Sequence, residues 1–169
     1  LHFEENGDVR VNMGAPVLEP DLITYTAETR QTLYTLEVGT ETLAVGAVSM
    51  GNPHVVLRVE SCDSARVETL GPALESHPRF PNRANVGFME ILASNHIRLR
   101  VYERGVGETH ACGTGACAAV VTGITHGLLD ARLRVSLPVG YLVIEWSGEH
   151  EPVWMSGPAA SVYEGKIDL

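Results

Sequence analysis

The segment from Thr114 to Gly127 constrains the fold more than any other part of the chain. It has the length of a helix, a Thr at its start that is typical of a helix cap, and a Gly at its far end. It has no charged face, and most of its residues are small or apolar. A helix that is apolar all round has to be buried. Because small residues let neighbouring segments approach closely, we expect a core built around this one central helix.

The rest of the chain shows the pattern of many short strands. Apolar and polar residues alternate, β-branched residues are frequent, and Gly, Pro and Asn bound the runs. Asn6-Gly7-Asp8 predicts a hairpin turn, and residues 64–70 predict a short helix with another turn after Pro72. Together these patterns predict an α+β fold, a curved and mostly antiparallel sheet wrapped around one buried central helix. The predicted strands cover residues 32–38, 42–50, 54–59, 85–92, 96–103, 132–137, 141–146 and 153–155.

Length and charge narrow the class of protein. The 169 residues, 44% of them hydrophobic, suit a single domain over residues 1–169 without disulfides or metals. The formal net charge of −9 and the scattered basic residues argue against nucleic acid as a partner. No apolar run approaches the roughly 20 residues that span a bilayer, and the N-terminus lacks the pattern of a secretory signal, so we expect a cytoplasmic protein without a membrane partner. Three cysteines, an odd number, predict reduced thiols.

The most informative stretch runs from the strand that ends near Glu103, through a glycine-rich loop, into the predicted buried helix. It puts Cys112 at the helix start, where free N–H groups and the positive end of the helix dipole favour an anion. We therefore expect a lowered thiol pKa there and a seat for a substrate carboxylate, with Gly113 and Gly115 leaving room for it. A role for Cys112 as a small buried hydrophobe stays open. Packing alone explains Cys117, one turn further along the helix.

Two other polar clusters lie at predicted strand ends. In the first, Asn52 is explained as a turn residue, and His54 either acts as a base or caps a strand. In the second, Asn85 opens a strand. A metal site formed by Cys112, Cys117 and a histidine has only a weak spacing signal, because no second ligand pair accompanies it.

Three motifs occur together in the order and approximate spacing of one known family. The chain resembles the C-terminal half of diaminopimelate epimerases from about Asp8 to its end. The resemblance implies a cofactor-independent enzyme that interconverts LL- and meso-diaminopimelate in the synthesis of lysine and peptidoglycan precursors. In that family two similar domains close over the substrate, and each presents one catalytic cysteine at a helix start. The motifs are Ser-Met-Gly-Asn-Pro-His (49–54), Arg-Ala-Asn-Val-Gly-Phe (83–88) and Tyr-Glu-Arg-Gly-Val-Gly-Glu-Thr-His-Ala-Cys-Gly-Thr-Gly-Ala-Cys-Ala-Ala (102–119).

The resemblance also implies roles for individual residues. It makes Cys112 one of two acid/base thiols, with His54 and Glu103 beside the reacting centre. Amides near Gly113 and Thr114 would cradle the reacting carboxylate. The distal end of the substrate would be held by Asn52, Asn85 and Arg104. The implied substrate contacts are Asn52, Asn85, Glu103, Arg104, Gly113 and Thr114.

The same resemblance indicates what this chain lacks. The chain enters a polar segment directly at Leu1, which suggests a start in mid-protein, and the family's N-terminal domain with its own Cys-Gly-Asn-Gly segment is absent. Inversion needs proton carriers on both faces of one carbon, so we expect the isolated chain to be inactive and the N-terminal domain to be its partner. A homodimer stays open.

Three other functions compete with this one. A proline racemase or hydroxyproline epimerase of the same fold would use the same thiol chemistry. A cysteine hydrolase or acyltransferase would use Cys112 as nucleophile and His54 as base. A domain without catalysis would serve binding or assembly. A pyridoxal enzyme is disfavoured, because Lys166, the only lysine, lies near the C-terminus and outside any evident Schiff-base context.

Overall fold

The computed structural model describes residues 1–160 and 162–167, and within them it is mostly sheet with few helices, as predicted. The helices are α1 (Pro20–Ile23), α2 (Val67–Glu75) and α3 (Gly113–Thr125). The strands are β1 (His2–Phe3), β2 (Asp8–Asn12), β3 (Tyr34–Val38), β4 (Glu41–Ser49), β5 (Pro53–Val59), β6 (Asn85–Ala93), β7 (His96–Glu103), β8 (Gly107–Thr109), β9 (Arg132–Leu137), β10 (Gly140–Glu145) and β11 (Trp154–Pro158).

All of these strands belong to one sheet. Its order is β1-β2-β11-β10-β9-β7-β6-β5-β4-β3, and β8 pairs with β7 outside that path. Two pairings are parallel, β5 with β6 and β7 with β9, whereas the other pairings among the described residues are antiparallel. The sheet is therefore mostly antiparallel, as the alternating pattern predicted. The Asn6-Gly7-Asp8 hairpin is also present, with Gly7 at a φ of +87° between β1 and β2.

The middle of the sheet is buried on both faces. Along β5, Val56 belongs to the core cluster around α3, while Val55 and Leu57 belong to a second cluster that includes residues of α1 and α2. Successive side chains of a strand point to opposite faces, so a strand covered on both sides needs a continuous apolar run. This explains the apolar run of β5 and positions its N-terminal end between the two helix layers.

Helix α3 is buried over its central turns. Residues from Ala116 to Val121 are 0% exposed, and the helix contacts β4, β5, β6, β7 and β10. A Cβ atom at Gly46 would lie 2.4 Å from the Thr122 side chain, so β4 and α3 meet too closely for any larger residue at position 46. The helix ends in a Schellman motif, with Gly127 at a φ of +69° and the Leu128 N–H bonded to the Gly123 carbonyl.

The predicted cap at Thr114 is wrong. The helix begins at Gly113, and its N-cap is Cys112, whose φ of −142° and ψ of 106° are extended. Thr114 therefore lies inside the first turn. The first turn leaves the N–H groups of Gly113 and Thr114 without helical partners, at the point where the chain leaves its loop.

Several other element boundaries differ from the prediction. Helix α2 continues through Pro72 instead of ending before it, because the burial of Val67, Leu70 and Leu74 outweighs the cost of a helix-interior proline, about 3 kcal/mol. Neither α1 nor β8 was predicted, since each has fewer residues than a periodic pattern needs. Strand β11 lies slightly further along the chain than predicted, because its register is set by pairing with β2 and β10.

Candidate active site

Three strand ends meet at one edge of the sheet. Strands β5 and β6 run parallel and begin at this edge, with His54 opposite Asn85 in the register. Strand β7 runs antiparallel to β6 and ends there, with Tyr102 opposite Val86 and Glu103 next along the chain. This edge is therefore shared by three of the residues singled out in the sequence, His54, Asn85 and Glu103, and by the start of α3.

Asn52 and His54 form one hydrogen-bonded pair. The turn between β4 and β5 has Gly51 at a φ of +88°, and it brings the Asn52 Oδ1 atom to 3.0 Å from Nε2 of His54. Because an amide oxygen only accepts, Nε2 carries the proton and Nδ1 keeps a free electron pair. The imidazole is 1% exposed, and burial together with the nearby Arg104 charge lowers the pKa of His54 to about 3. His54 is therefore neutral at physiological pH.

Asn85 and Arg104 join the start of β6 to the turn after β7. The Asn85 side chain, 4% exposed, donates from Nδ2 to the Pro53 carbonyl over 3.1 Å. Its Oδ1 atom accepts the backbone N–H of Arg104 over 3.0 Å. The Arg104 side chain is exposed and donates one bond, from Nη1 to the Asn82 carbonyl over 3.0 Å. Asn85 thus fixes the backbone of Arg104, whose guanidinium retains further N–H donors at the surface.

Glu103 is held from strand β8. The Thr109 hydroxyl donates to Oε1 of Glu103 over 2.5 Å. Strand β8 is in turn fastened to β7 by a two-bond ion pair, in which Arg100 contacts Glu108 at 2.6 Å and 2.8 Å. A carboxylate held by a hydroxyl on a fastened strand has a defined orientation.

Cys112 lies where this edge meets the start of α3. Its side chain is 7% exposed, and its sulfur is 3.7 Å from the Thr114 hydroxyl. Burial raises the pKa of the Cys112 thiol, and the Glu103 carboxylate raises it further, whereas the Gly115 N–H and the Thr114 hydroxyl lower it. The predicted lowering of this pKa is therefore wrong, because desolvation of the thiolate outweighs the stabilisation by the helix start.

The glycines around Cys112 are required by close contacts. A Cβ atom at Gly115 would lie 3.2 Å from the Cys112 sulfur and 3.0 Å from the Val101 side chain. A Cβ atom at Gly113 would lie 3.1 Å from the Met155 sulfur. Both contacts are tighter than a side chain tolerates without a shift of its neighbour. Gly115 therefore leaves room for the Cys112 side chain, and Gly113 leaves room for Met155.

The other two cysteines are enclosed in the core. Cys117 is 0% exposed, and burial raises its pKa to about 12. Cys62 is 2% exposed, and its backbone N–H donates to Glu90 over 2.8 Å. Burial raises the pKa of Cys62 to about 11. All three cysteines are free thiols.

Two residues of this edge were missed in the sequence. Thr109 was not distinguished from the other loop residues, although it contacts Glu103. Glu75 is 7% exposed, and it accepts the backbone N–H of Gly105 over 2.7 Å. Its sequence signal is weak: it is a charged residue four positions after Gly71, on a helix whose other buried residues carry no charge.

Three further observations concern other parts of the described residues. Across residues 1–160 and 162–167, no three His, Cys, Asp or Glu side chains are grouped so that they could hold a metal ion. No helix in the same part of the chain is long and apolar enough to cross a membrane. An open cavity of about 650 Å³ lies toward the far end of α3, lined by Val56, Met89 and Thr122 among others, but not by any of the predicted site residues.

Comparison with known proteins identifies the family. The family model for diaminopimelate epimerase matches residues 46–162. The chain belongs to the diaminopimelate epimerase family. Diaminopimelate epimerase from Alkalilimnicola ehrlichii is 62% identical over 165 residues, which are 98% of this chain and 59% of the relative. The enzyme from Thioalkalivibrio sulfidiphilus is 57% identical over 170 residues, which are 100% of this chain and 61% of the relative. The chain thus spans about three-fifths of the length of these epimerases.

Solved structures share the fold at low sequence identity. A probable proline racemase from Agrobacterium radiobacter superposes with a TM-score of 0.65 at 15% identity, over 96% of this chain and 54% of that one. A hydroxyproline epimerase from Agrobacterium vitis gives a TM-score of 0.60 at 15% identity, over 89% of this chain and 49% of that one. At such identity the likeness concerns the fold alone.

Proposed function

We propose that this chain supplies one half of an active site that inverts the α-carbon of diaminopimelate, with Cys112 as the acid/base thiol on one face. The observation that supports this most is the position of Cys112 at the start of a buried helix, beside Glu103 and at the edge that carries His54. The residues at this edge belong to the three sequence motifs that the chain shares with the family. We further propose that the sheet curves around α3, which leaves the helix start as its accessible end.

The raised pKa of Cys112 suits proton transfer to and from carbon. An α-hydrogen of an amino acid is a very weak acid, so a thiolate with a raised pKa is a better base toward it than an ordinary thiolate. The thiolate takes the α-hydrogen as a proton and forms the Cys112 S–H bond, while the electron pair of the broken C–H bond passes toward the substrate carboxylate. The unpaired N–H groups of Gly113 and Thr114 would stabilise the charge that develops there. His54 and Glu103 would shape the polarity around the sulfur.

We infer that the second proton carrier comes from a part of the protein other than α3. Cys117 is fully buried and about one and a half helical turns beyond Cys112, so it does not reach the opposite face of a carbon placed at the helix start. We propose that the remaining two-fifths of the length of the relatives, their N-terminal domain, provides the opposing thiol. The guanidinium of Arg104 and the amides of Asn52 and Asn85 would hold the distal end of the substrate.

The test is to incubate LL-diaminopimelate in deuterated water with the chain alone, and with the chain together with the N-terminal part that its relatives possess. Stereochemistry and α-deuterium incorporation are followed together. We expect inversion with exchange only when both parts are present. Turnover by the lone chain would contradict the half-site. Proline tested in parallel separates this proposal from a proline racemase, and acyl-adduct formation without exchange would indicate a cysteine hydrolase.

A further inference from the structure

The turn that carries Arg104 is a tight turn with little room for variation. It runs from Glu103 to Val106, and the Val106 N–H donates to the Glu103 carbonyl over 3.1 Å. Gly105, its third residue, has a φ of +74°. This is the geometry of a type II turn, in which the third position favours Gly. Arg104 is the second residue of the turn, so the direction of its side chain depends on how the turn is held.

Two buried side chains hold this turn by successive N–H groups. Asn85 accepts the N–H of Arg104, and Glu75 accepts the N–H of Gly105 over 2.7 Å. Glu75 is the last residue of α2, and with 7% exposure it is a largely buried carboxylate. Burying a carboxylate costs several kcal/mol unless its hydrogen bonds compensate for the lost water. An acidic residue at this place is therefore costly for the fold by itself.

Glu75 also holds the segment before Asn85. Its side chain contacts the Arg83 guanidinium at 3.5 Å, and its backbone carbonyl accepts the Ala84 N–H over 3.1 Å. Arg83 has a φ of +58°, a left-handed conformation that is strained for a residue with a side chain. The same segment supplies the Asn82 carbonyl that accepts Nη1 of Arg104. Glu75 thus contacts both segments that determine where Arg104 lies.

The packing of α2 on β7 sets the distance from Glu75 to the turn. Gly71 precedes Glu75 by four positions, so both lie on one face of the helix. A Cβ atom at Gly71 would be 2.6 Å from the Tyr102 ring, which shows how closely α2 approaches β7. A larger residue at position 71 would push the helix, and Glu75 with it, away from the turn.

From these contacts we infer that Glu75 is a positioning residue. Its buried carboxylate fixes the turn so that the Arg104 guanidinium can bind the distal end of the substrate. This inference rests on the proposed function for the identity of the substrate. The holding of the turn itself can be measured without any substrate. The identity of the substrate and the holding of the turn by Glu75 can therefore be refuted independently.

The experiment compares Glu75→Ala and Glu75→Gln with Glu68→Gln, a matched control at an exposed position of α2. In the protein with its N-terminal part, Glu75→Ala is expected to raise KM by about tenfold while kcat changes little. This is the size of effect expected when one charge-assisted hydrogen bond is lost. Glu75→Gln keeps an oxygen acceptor, so its KM should rise by about threefold. Glu68→Gln should match the unchanged protein.

Amide hydrogen exchange provides the second readout, on the chain alone. Exchange at Gly105 should accelerate by about tenfold in Glu75→Ala, while exchange in α3 stays as it was. If Glu75→Ala does not fold, Glu75→Gln carries the test through its KM and its Gly105 exchange. An unchanged KM in Glu75→Gln, or a fall in kcat alone, would overturn the assignment. If the unchanged protein shows no epimerisation but Gly105 responds as expected, the proposed substrate fails and the holding of the turn stands.

Discussion

Cys112 and Cys117 lie on the same helix but in different chemical surroundings. Both are largely buried, at 7% and 0% exposure, and burial raises the pKa of each. Around Cys112 the Gly115 N–H and the Thr114 hydroxyl favour the thiolate, and Glu103 stands beside it. Cys117 sits among alanines and valines of the core cluster. The two thiols on one helix therefore differ in the groups around them, and this difference is why we propose Cys112, and not Cys117, as the acid/base thiol.

The strongest test of this comparison removes the thiol at the helix start. In the protein with its N-terminal part, Cys112→Ala should lower the rate of epimerisation by at least about a thousandfold, because one proton carrier is lost. The fold should persist, since the substitution leaves the apolar turns of α3 intact. Epimerisation rate and circular dichroism together check this. An active Cys112→Ala protein would refute the role of Cys112.

Arg104→Ala is expected to have the next largest effect. The guanidinium would bind the distal end of the substrate equally in the ground and transition states, so its loss should raise KM by about 10- to 100-fold with a smaller change in kcat. Steady-state kinetics with LL-diaminopimelate measure both constants, and Arg58→Ala, at another exposed arginine, serves as the control. A lower kcat at unchanged KM would place Arg104 at the reacting centre instead.

Thr109→Val should have a moderate effect on kcat. It changes the surroundings of Cys112 and leaves those of Cys117 as they are. Valine keeps the shape of the side chain but removes the hydroxyl that orients Glu103, so we expect kcat to fall by about tenfold. Thr109→Ser restores the donor and should recover most of the rate. Equal rates for the Val and Ser variants would show that the orientation of Glu103 does not matter.

Cys117→Ala should have the smallest effect on catalysis, with kcat and KM unchanged within error. It should cost stability, by ~1 kcal/mol, because a fully buried sulfur is removed. The pH dependence is more diagnostic. The folded-state pKa of Cys117, about 12, lies above the ordinary 9.0, so the thiol contributes stability in full below pH 9.0 and loses it as pH rises toward 12.

Urea unfolding above pH 9.0 measures that loss. The free energy of unfolding of the unchanged chain should fall more steeply with pH than that of Cys117→Ala, by about 1.4 kcal/mol per pH unit. Identical slopes would mean that Cys117 ionises as readily in the folded state as in the unfolded one. The comparison between the two cysteines would then lose its physical basis.

The sequence by itself predicted most of the scaffold and the place of the candidate site. Strands with a clear alternation, such as β7 and β9, were predicted at their observed bounds, because a period of two depends on local pattern alone. The burial of α3 followed from its lack of any charged residue. The gathering of His54, Asn85, Glu103 and Cys112 was predicted from family motifs, since the spacing within one segment says nothing about the distance between segments.

Only the tertiary structure decided the chemistry of the individual groups. The predicted lowering of the Cys112 pKa was wrong because desolvation depends on everything that packs around the sulfur, which the local sequence does not specify. Helix α2 runs through Pro72 because its apolar face is covered by the sheet. The contacts of Thr109 with Glu103 and of Glu75 with Gly105 depend on strand pairing and helix packing between separate segments. Local pattern determines which elements form, whereas burial and long-range pairing determine which of their side chains can act.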